Sequence, residues 1–519
     1  MKKFLSLILA FSLLVLAVGC KDNKNPSGDS GNKENAQSKT KNSITMLYSA
    51  ADSFNPYVAK TDVNKQLCQL LYEPLIKLDS EFNPVYAIAK EVVTEQNKSV
   101  VTLKNVSFSD DSPLTARDVV YSFLLAKSSQ GVYATQLYEA VSAVAVAENK
   151  VEFVLSKQDP YFINLLTFPI LKAESDTITD SDGVLQPPIG SGKYMLNDKN
   201  DGLIINPNSF YKQGNIKTIK LINAPDNESV THYAQVGAAD VYYSNISDGR
   251  IVRMSGKRYS VNLNNMVYLG INKNVPQLSQ KEIRQALASG IDRTKLCKDA
   301  FYNNAIAATG FFSPVWNEVK SLQNIQIEAK KEITIENLEK IGYNRLDSSG
   351  NRINSHGTVL SFTLLVNSEN QIRVTAAKAI ASQLSEYGIK IKVIEKTYND
   401  YLACLSGGSF ELFLGEIRLT DNMDISCMVS AGGSAAFGLN FQTGNDSDSV
   451  SANPADVIAG FYSGVNSIAD VVSILQNEMP FIPLCYRTGV LFCNDKIENV
   501  DTPSVSDIYS SIESYIYKN

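Results

Sequence analysis

Ser107 to Phe123 reads SFSDDSPLTARDVVYSF. A short aromatic strand runs into an acidic turn, and Thr115 then stands where a helix N-cap belongs, with Asp118 at the third helical position. Val119, Val120, Phe123 and Leu124 fall on one face, so the spacing predicts an amphipathic helix over Thr115 to Ser128. Alternating apolar strands flank it at Val92 to Leu103 and Val151 to Leu155. Further out, Ser43 to Ser49 (SITMLYS) reads as a strand, Asp62 to Tyr72 as a helix, and Leu75 to Leu78 as another strand. Gln280 to Ala300 and Gln371 to Tyr387 are amphipathic. The second stops at Gly388 before the strand Ile389 to Ile394, a glycine-ended helix-to-strand junction. Helices and strands alternating in this way make an α/β protein.

The chain has 519 residues, 44% hydrophobic and 20% charged, enough for several lobes with cores that need no disulfide or metal. Acidic residues outnumber basic ones, 54 to 48, for a net charge of -6. Without a basic excess to displace phosphate counterions, nucleic acid is excluded as a partner. No repeat and no long linker interrupts Ser43 to Asn519, so the lobes must interlock, with the chain crossing between them.

The first residues read as an address. Lys2 and Lys3 precede an apolar run from Phe4 to Leu16, too short for a comfortable membrane span, and Ala17-Val18-Gly19 leads to Cys20. This resembles a bacterial lipoprotein signal, spanning residues 1–19, whose cysteine is lipidated and becomes the mature N-terminus. Ala17 departs from the leucine usual there. Residues 20–42 hold no large apolar side chain after the cysteine and are expected to form a disordered tether. Five lysines against three acids make it mildly attractive to anionic headgroups.

Other motifs fail on inspection. Gly190 to Lys193 ends like a phosphate-binding loop, but Pro187 and Tyr194 stand where glycine and a hydroxyl residue are needed. There are 2 histidines, His232 and His356, in no metal-ligand or triad pattern, and the serine of Gly432 to Ala436 (GGSAA) lacks the second glycine of a nucleophile elbow. Six cysteines beyond Cys20 (Cys68, Cys297, Cys404, Cys427, Cys485, Cys493) show no C-x-x-C pair. They read as free buried thiols, with a Cys485–Cys493 bridge across a hairpin as the alternative. No metal or other cofactor is called for, and nothing asks for an enzyme.

Taken in order, Leu71 to Leu78 (LYEPLIKL), the Ser107 to Phe123 stretch, Pro188 to Tyr194 (PIGSGKY), Asn206 to Tyr211, Glu282 to Arg293 (EIRQALASGIDR), Leu338 to Tyr343 (LEKIGY) and Met479 to Leu484 (MPFIPL) resemble the family 5 solute-binding proteins of ABC importers, the oligopeptide- and dipeptide-binding type. The resemblance covers the chain after the tether. Asp111-Ser112 replaces the family's Asp-Gly, and Ser191 replaces a threonine. It implies a bilobal, periplasmic-binding-protein-like (type II) fold with an extra subdomain in the first lobe. Lobe I would comprise 43–82, 187–262 and a return at 482–519; the extra subdomain would span 83–186, and lobe II 263–481. Ligand would lie between the lobes and close them by hinge motion.

In the family's peptide binders an aspartate after a Gly-Trp pair captures the ligand's α-ammonium. Here the stretch is Phe413 to Asp424 (FLGEIRLTDNMD), with Glu416 at the tryptophan position and Leu419 at the aspartate position. Glu416, Asp421 and Asp424 are the nearby carboxylates, and Asp421 or Asp424 is the expected amine site. Arg418 is a candidate for a ligand carboxylate, unless Glu416 and Arg418, two apart on a strand face, pair with each other. Asp52, in Ala50 to Asn55 (AADSFN), lines the opposite wall by family position. The implied partners are a peptide or other small solute, an ABC permease and, through Cys20, the membrane, on the extracellular face or in the periplasm, with the protein a monomer. Oligosaccharide, nickel and haem carriers of the same family remain alternatives, as does a surface lipoprotein enzyme or a sensor not coupled to transport.

Overall fold

The computed structural model describes residues 40–246, 254–322, 326–439 and 453–519. Cys20 and the signal lie outside the described residues. The tether's last residues do not: Thr40 and Lys41 pair with Lys518 and Tyr517 in a small sheet completed by Ile497–Glu498. The folded part therefore begins before Asn42, because the chain's C-terminal strand supplies the partner that local composition could not reveal.

The stretch from Ser107 folds much as it reads. Phe108 is fully buried, Asp111 takes the left-handed conformation (φ 67) that an aspartate tolerates in a turn, and the helix runs Ala116–Ser128. Asp118 accepts hydrogen bonds from both the backbone N–H and the hydroxyl of Thr115, each 2.8 Å. The buried face is Ala116, Val119, Ser122, Phe123 and Ala126, whereas Leu124 points to solvent. That face covers an antiparallel sheet ordered Ala89–Glu95, Lys98–Leu103, Lys150–Leu155, Ala140–Ala147. What reads as one strand over Val92 to Leu103 is a hairpin, reversed at Gln96 (φ 53) and Asn97. Gln280 to Ala300 likewise divides into helices Lys281–Ser289 and Arg293–Asp299. Asp292 caps the second, its carboxylate accepting from Lys295 N–H at 2.8 Å.

Two larger sheets complete the framework. In one, Ser43–Tyr48 runs parallel to Thr218–Asn223, followed by Gly202–Ile205 and Tyr194–Leu196. The other is ordered Val241–Ser244, Phe481–Cys493, Lys257–Ile271, Leu412–Arg418, Ser361–Asn367, Lys390–Lys396, with Ala305–Ala307 added on Phe481–Cys493. Lys257–Ile271 and Phe481–Cys493 pair antiparallel from Lys257 opposite Cys493 to Gly270 opposite Phe481, and the register slips between Asn262 and Met266. All 13 residues of Phe481–Cys493 are buried. Cys485 and Cys493 lie on that one strand, so no hairpin bridge joins them, and the six cysteines among the described residues are free.

The distant motifs meet at one place. Gly190 and Gly192 pass backbone to backbone against the end of helix Asp62–Leu71; a Cβ on Gly190 would stand 2.1 Å from the Leu71 carbonyl oxygen, and one on Gly192 2.2 Å from that of Leu70. The Gly190 carbonyl accepts from Ser109 N–H (3.0 Å), Asn206 Nδ2 donates to the Gly192 carbonyl (2.9 Å), and Asn208 Nδ2 to that of Phe108 (3.1 Å). Beside them Lys77 joins the fully buried Glu73 (2.9 Å) to Asp507 (3.3 Å), and Lys193 reaches Glu513 at 3.0 Å. Burial acts to raise the Asp507 carboxyl, but Lys77 and Lys193 outweigh it and hold the group below its ordinary value. The glycines are there for contact, since a methyl group would force the two backbones apart. Gly190→Ala is expected to cost about 1–3 kcal/mol of folding stability, as overpacking does. Urea denaturation checks this, and a midpoint equal to wild type would contradict the close approach.

Candidate functional site

At the carboxyl ends of the parallel strands Ser43–Tyr48 and Thr218–Asn223 the chain turns outward, the place where open α/β sheets bind ligands. Two helices begin there, Asp62–Leu71 after the cap Thr61 and Asn227–Gln235 after the cap Asp226. Thr61, Asp62, Gln66, Asp226, Tyr243 and Asn245 line a recess of about 660 Å³ open to solvent. Asp62 Oδ2 accepts from Asn245 Nδ2 at 3.3 Å.

Asp52 sits behind this wall. Its carboxylate accepts from Thr61 N–H (2.7 Å), Thr61 Oγ1 (2.6 Å), Lys60 N–H (3.0 Å) and Ser53 N–H (2.9 Å). Partial burial pushes its pKa up, yet those donors prevail and lower it. Asp52 therefore shapes the Ala50 to Asn55 loop, with its acceptor capacity spent on the loop itself. Asn64 completes the brace through both directions of exchange with Ser49.

The residues of the Leu412–Arg418 strand and the turn after it separate into different tasks. Glu416, expected to pair with Arg418, instead accepts from Arg373 Nε and Nη2 at 3.2 and 3.0 Å and from Asn265 Nδ2 at 3.3 Å, with Arg487 Nη1 3.7 Å away. The reason is tertiary: Arg373 opens the helix Gln371–Ser385 beside the sheet, and Arg487 lies on the long strand two places across, so two buried or half-buried cations outcompete the strand neighbour. Arg418 ends its strand, is exposed, and among the described residues has no ion-pair or hydrogen-bond partner. Its charge reaches the phenols of Tyr133 and Tyr243 and the Asp421 carboxyl. Leu419, at the family's aspartate position, is buried and donates its N–H to the Asn264 carbonyl at 2.8 Å.

Asp421 and Asp424, expected to face an amine, are engaged by the protein itself. Gln136 Nε2 donates to Asp421 Oδ2 at 2.7 Å and Asn164 Nδ2 to the Asp421 carbonyl at 3.2 Å. Lys157 Nζ meets Asp424 at 3.1 Å, and Asn422 Nδ2 donates to Asp159 Oδ2 at 2.8 Å. The turn from 421 to 424 is thus clasped by the segment between 136 and 164. Asp421 is fully buried, its Oδ1 has no partner, and burial raises its pKa against the opposing pull of Arg418 and Gln136. The structure brings Glu416 to Arg373 and Arg487, places Asp421 and Asp424 in the clasp, and leaves Arg418 free. Asp62, Tyr243, Arg373, Arg487 and Asp159 were not singled out from sequence. Only Asp62 carried a local signal, as the first residue of a helix.

The profile of the bacterial extracellular solute-binding proteins, family 5 Middle, matches residues 83–434. The chain belongs to that family, and its fold is the bilobal, type II periplasmic-binding one. It is 25% identical over 426 residues to the oligopeptide-binding protein AppA of Bacillus subtilis (strain 168), covering 75% of each chain. The solved structure of AppA from Bacillus subtilis with a nonapeptide superposes with a TM-score of 0.58 at 19% identity, over 92% of this chain and 99% of that one. A nickel ABC transporter structure from Bacillus halodurans superposes with a TM-score of 0.71 at 17% identity, over 92% and 100%.

The clasp has a pH signature. Burial pushes Asp159 up from 3.8 to about 6, against the pull of Asn422, the Tyr161 N–H and Lys157, with Asp424 adding to the rise. An acid whose folded pKa is raised holds its proton while the unfolded chain loses it. Stability is therefore lost as pH climbs between those two values, by about 3 kcal/mol at 1.36 kcal/mol per unit. Asp159→Asn is expected to remove that loss, gaining about 3 kcal/mol on wild type between pH 4 and pH 7 in urea titrations. Parallel pH profiles for the two proteins would contradict it.

Proposed function

We propose that this chain is the extracellular substrate-binding protein of an ABC importer for peptides. It captures its ligand between two lobes and delivers it to the permease as a monomer. Lobe I comprises 43–82, 187–262 and 482–519, the extra subdomain 83–186, and lobe II 263–481. The reading rests on one observation above others. A polar recess opens at the carboxyl ends of the lobe I strands, the place where open α/β sheets bind ligands, and Arg418, exposed and among the described residues without an ion-pair partner, offers the chemistry that takes a ligand carboxylate. Membership of a solute-binding family and likeness to AppA, named for oligopeptides, support the ligand class. No catalytic role is assigned to any residue, and no cofactor enters the reading.

Mass spectrometry of ligand co-purified with the protein tests it most directly; a non-peptide solute recovered in stoichiometric amount would displace the peptide reading. A ligand at a hundred times its dissociation constant should stabilise the fold by about 2.7 kcal/mol, since it binds only the native form. Scattering should show a smaller radius of gyration with that ligand bound.

Cys20 carries the anchor in this reading, with lipid holding the protein beside its permease. Cys20→Ala is expected to move the protein from the membrane fraction to the medium or periplasm. Retention of the variant in the membrane, with no diacylglycerol on the wild-type cysteine, would overturn the lipoprotein assignment.

A further inference from the structure

Two of the free cysteines lie against each other where a helix crosses the long strand. Cys297 is on the helix Arg293–Asp299 and Cys485 on Phe481–Cys493. The two segments are pinned on either side of them. Before the cysteines, Arg293 Nε donates to the Pro483 carbonyl at 2.8 Å; beyond them, the Arg487 guanidinium lies 5.1 Å from the centre of the Phe301 ring. Residues 293, 297 and 301 are four apart, the last just past the helical cap Ala300, and 483, 485 and 487 are two apart on the strand. Four helical residues advance about 6 Å and two strand residues about 6.6 Å, so the middle members of the two rows are set opposite each other. The Cys297 and Cys485 thiols accordingly share a hydrogen bond.

The surroundings suit a thiolate. Arg293 and Arg487 are both buried, yet Arg293 Nη2, Arg487 Nε and Arg487 Nη1 have no hydrogen-bond partner among the described residues. Buried donors are normally met by an acceptor, and an ionised sulfur beside these two side chains would be one. The Cys485 hydrogen bond holds the Cys297 thiol below its ordinary value; burial and Asp292 oppose it, and Arg487 and Arg293 add to the lowering. Burial pushes the Cys485 thiol well up. Cys485 is wholly enclosed, whereas Cys297 keeps 6% of its surface exposed. A thiol that ionises readily at an edge, next to one that keeps its proton inside, is the arrangement of an attacking and a resolving cysteine.

We propose that Cys297 and Cys485 form a redox-active dithiol that closes to a disulfide by exchange with the disulfide of a small thiol. The Cys297 thiolate attacks one sulfur of the incoming disulfide, forming a mixed disulfide and expelling the first small thiolate. Cys485 gives its proton to that thiolate and attacks the Cys297 sulfur, which forms the 297–485 bond and expels the second small thiolate. The protein loses two hydrogens in all, and the small disulfide is reduced to two thiols. The bond ties the helix to the strand that pairs with both Val241–Ser244 and Lys257–Ile271. Nothing in this assignment depends on which ligand the protein carries.

The experiment takes the native protein, reduced with dithiothreitol and desalted, and exposes it to glutathione disulfide. The reaction is quenched in acid, remaining thiols are blocked with N-ethylmaleimide, and unreduced peptides are mapped by mass spectrometry. Wild type should yield a peptide pair linked through 297 and 485, with Cys68, Cys404, Cys427 and Cys493 blocked as free thiols, and dithiothreitol should undo the link. Cys485→Ser, lacking the resolving thiol, should accumulate glutathione on Cys297, and Cys297→Ser should carry none on Cys485. Cys404 and Cys427 are less buried than either member of the pair, so exposure alone would send glutathione to them first. Glutathione on those two with Cys297 unmodified overturns the proposal, as does a different disulfide or no 297–485 link in wild type. A linked wild type with no adduct on Cys297 in Cys485→Ser, or with an adduct on Cys485 in Cys297→Ser, overturns the order of attack. The wild-type map decides the pairing whether or not the serine variants fold.

Discussion

The antiparallel pairing of Lys257–Ile271 with Phe481–Cys493 is the constraint on which the rest depends. Segments far apart in sequence are zipped together from Lys257 opposite Cys493 to Gly270 opposite Phe481, with a break after Asn262, and each borders a different set of neighbours along the way. Toward Cys493 the pair is flanked by Val241–Ser244, which carries Tyr243 to the polar recess. Toward Phe481 it is flanked by Leu412–Arg418 and the strands beyond it, Ser361–Asn367 and Lys390–Lys396. The register slip between Asn262 and Met266 falls between these two regions, as bulges do where a strand changes direction. Arg418 ends its strand opposite Asn265, at that slip, which is why its side chain is presented at the junction and is not packed within the sheet.

Around the helix Asp62–Leu71 the geometry is held by contacts that leave little freedom. The Gly190 to Lys193 segment crosses the end of a helix with its backbone against the helix's own carbonyls, and three asparagine or serine donors close the space around it. The neighbouring ionic network is buried at Glu73, Lys77 and Lys193 and half-buried at Asp507 and Glu513. A network of this kind is better understood as specifying one docking of the C-terminal segment than as adding net stability, because desolvation offsets much of the Coulomb gain. Losing one member would strand a buried charge, so the arrangement tolerates the whole set or none of it.

The acidic stretch from Glu416 to Asp424 shows how the same residue type serves two ends. Asp421 and Asp424 hold the 421 to 424 turn against the segment around Gln136, Lys157 and Asn164, while Glu416 neutralises Arg373 and Arg487 inside the sheet. Donors that the fold brings to them take most of the acceptor capacity of these carboxylates, although Asp421 keeps its buried Oδ1 unpartnered. Asp52 is the same case on the other wall.

Local chemistry was legible in the sequence. The Thr115–Asp118 cap, the helix over Gln371–Ser385 and the strand Ser43–Tyr48 follow from short-range capping and periodicity, and the ordered motifs pointed to the bilobal architecture. Breaks inside apolar runs were less visible. The Gln96–Asn97 reversal and the Asp292 restart both carry local signals that an apolar-pattern reading passes over: Thr94 to Ser99 (TEQNKS) is an unbroken polar run at the hairpin turn, and Gly290 and Asp292 are a helix stop and a helix cap. Which charge meets which was decided by tertiary structure alone. Arg373 and Arg487 lie 43 and 71 residues from Glu416, and Gln136 lies 285 from Asp421, so no spacing rule could connect them. Sequence placed acids around the Leu412–Arg418 strand; the fold decided that most of them face other parts of the protein, because a carboxylate in a closed interior goes to whichever buried donor lies within about 3 Å.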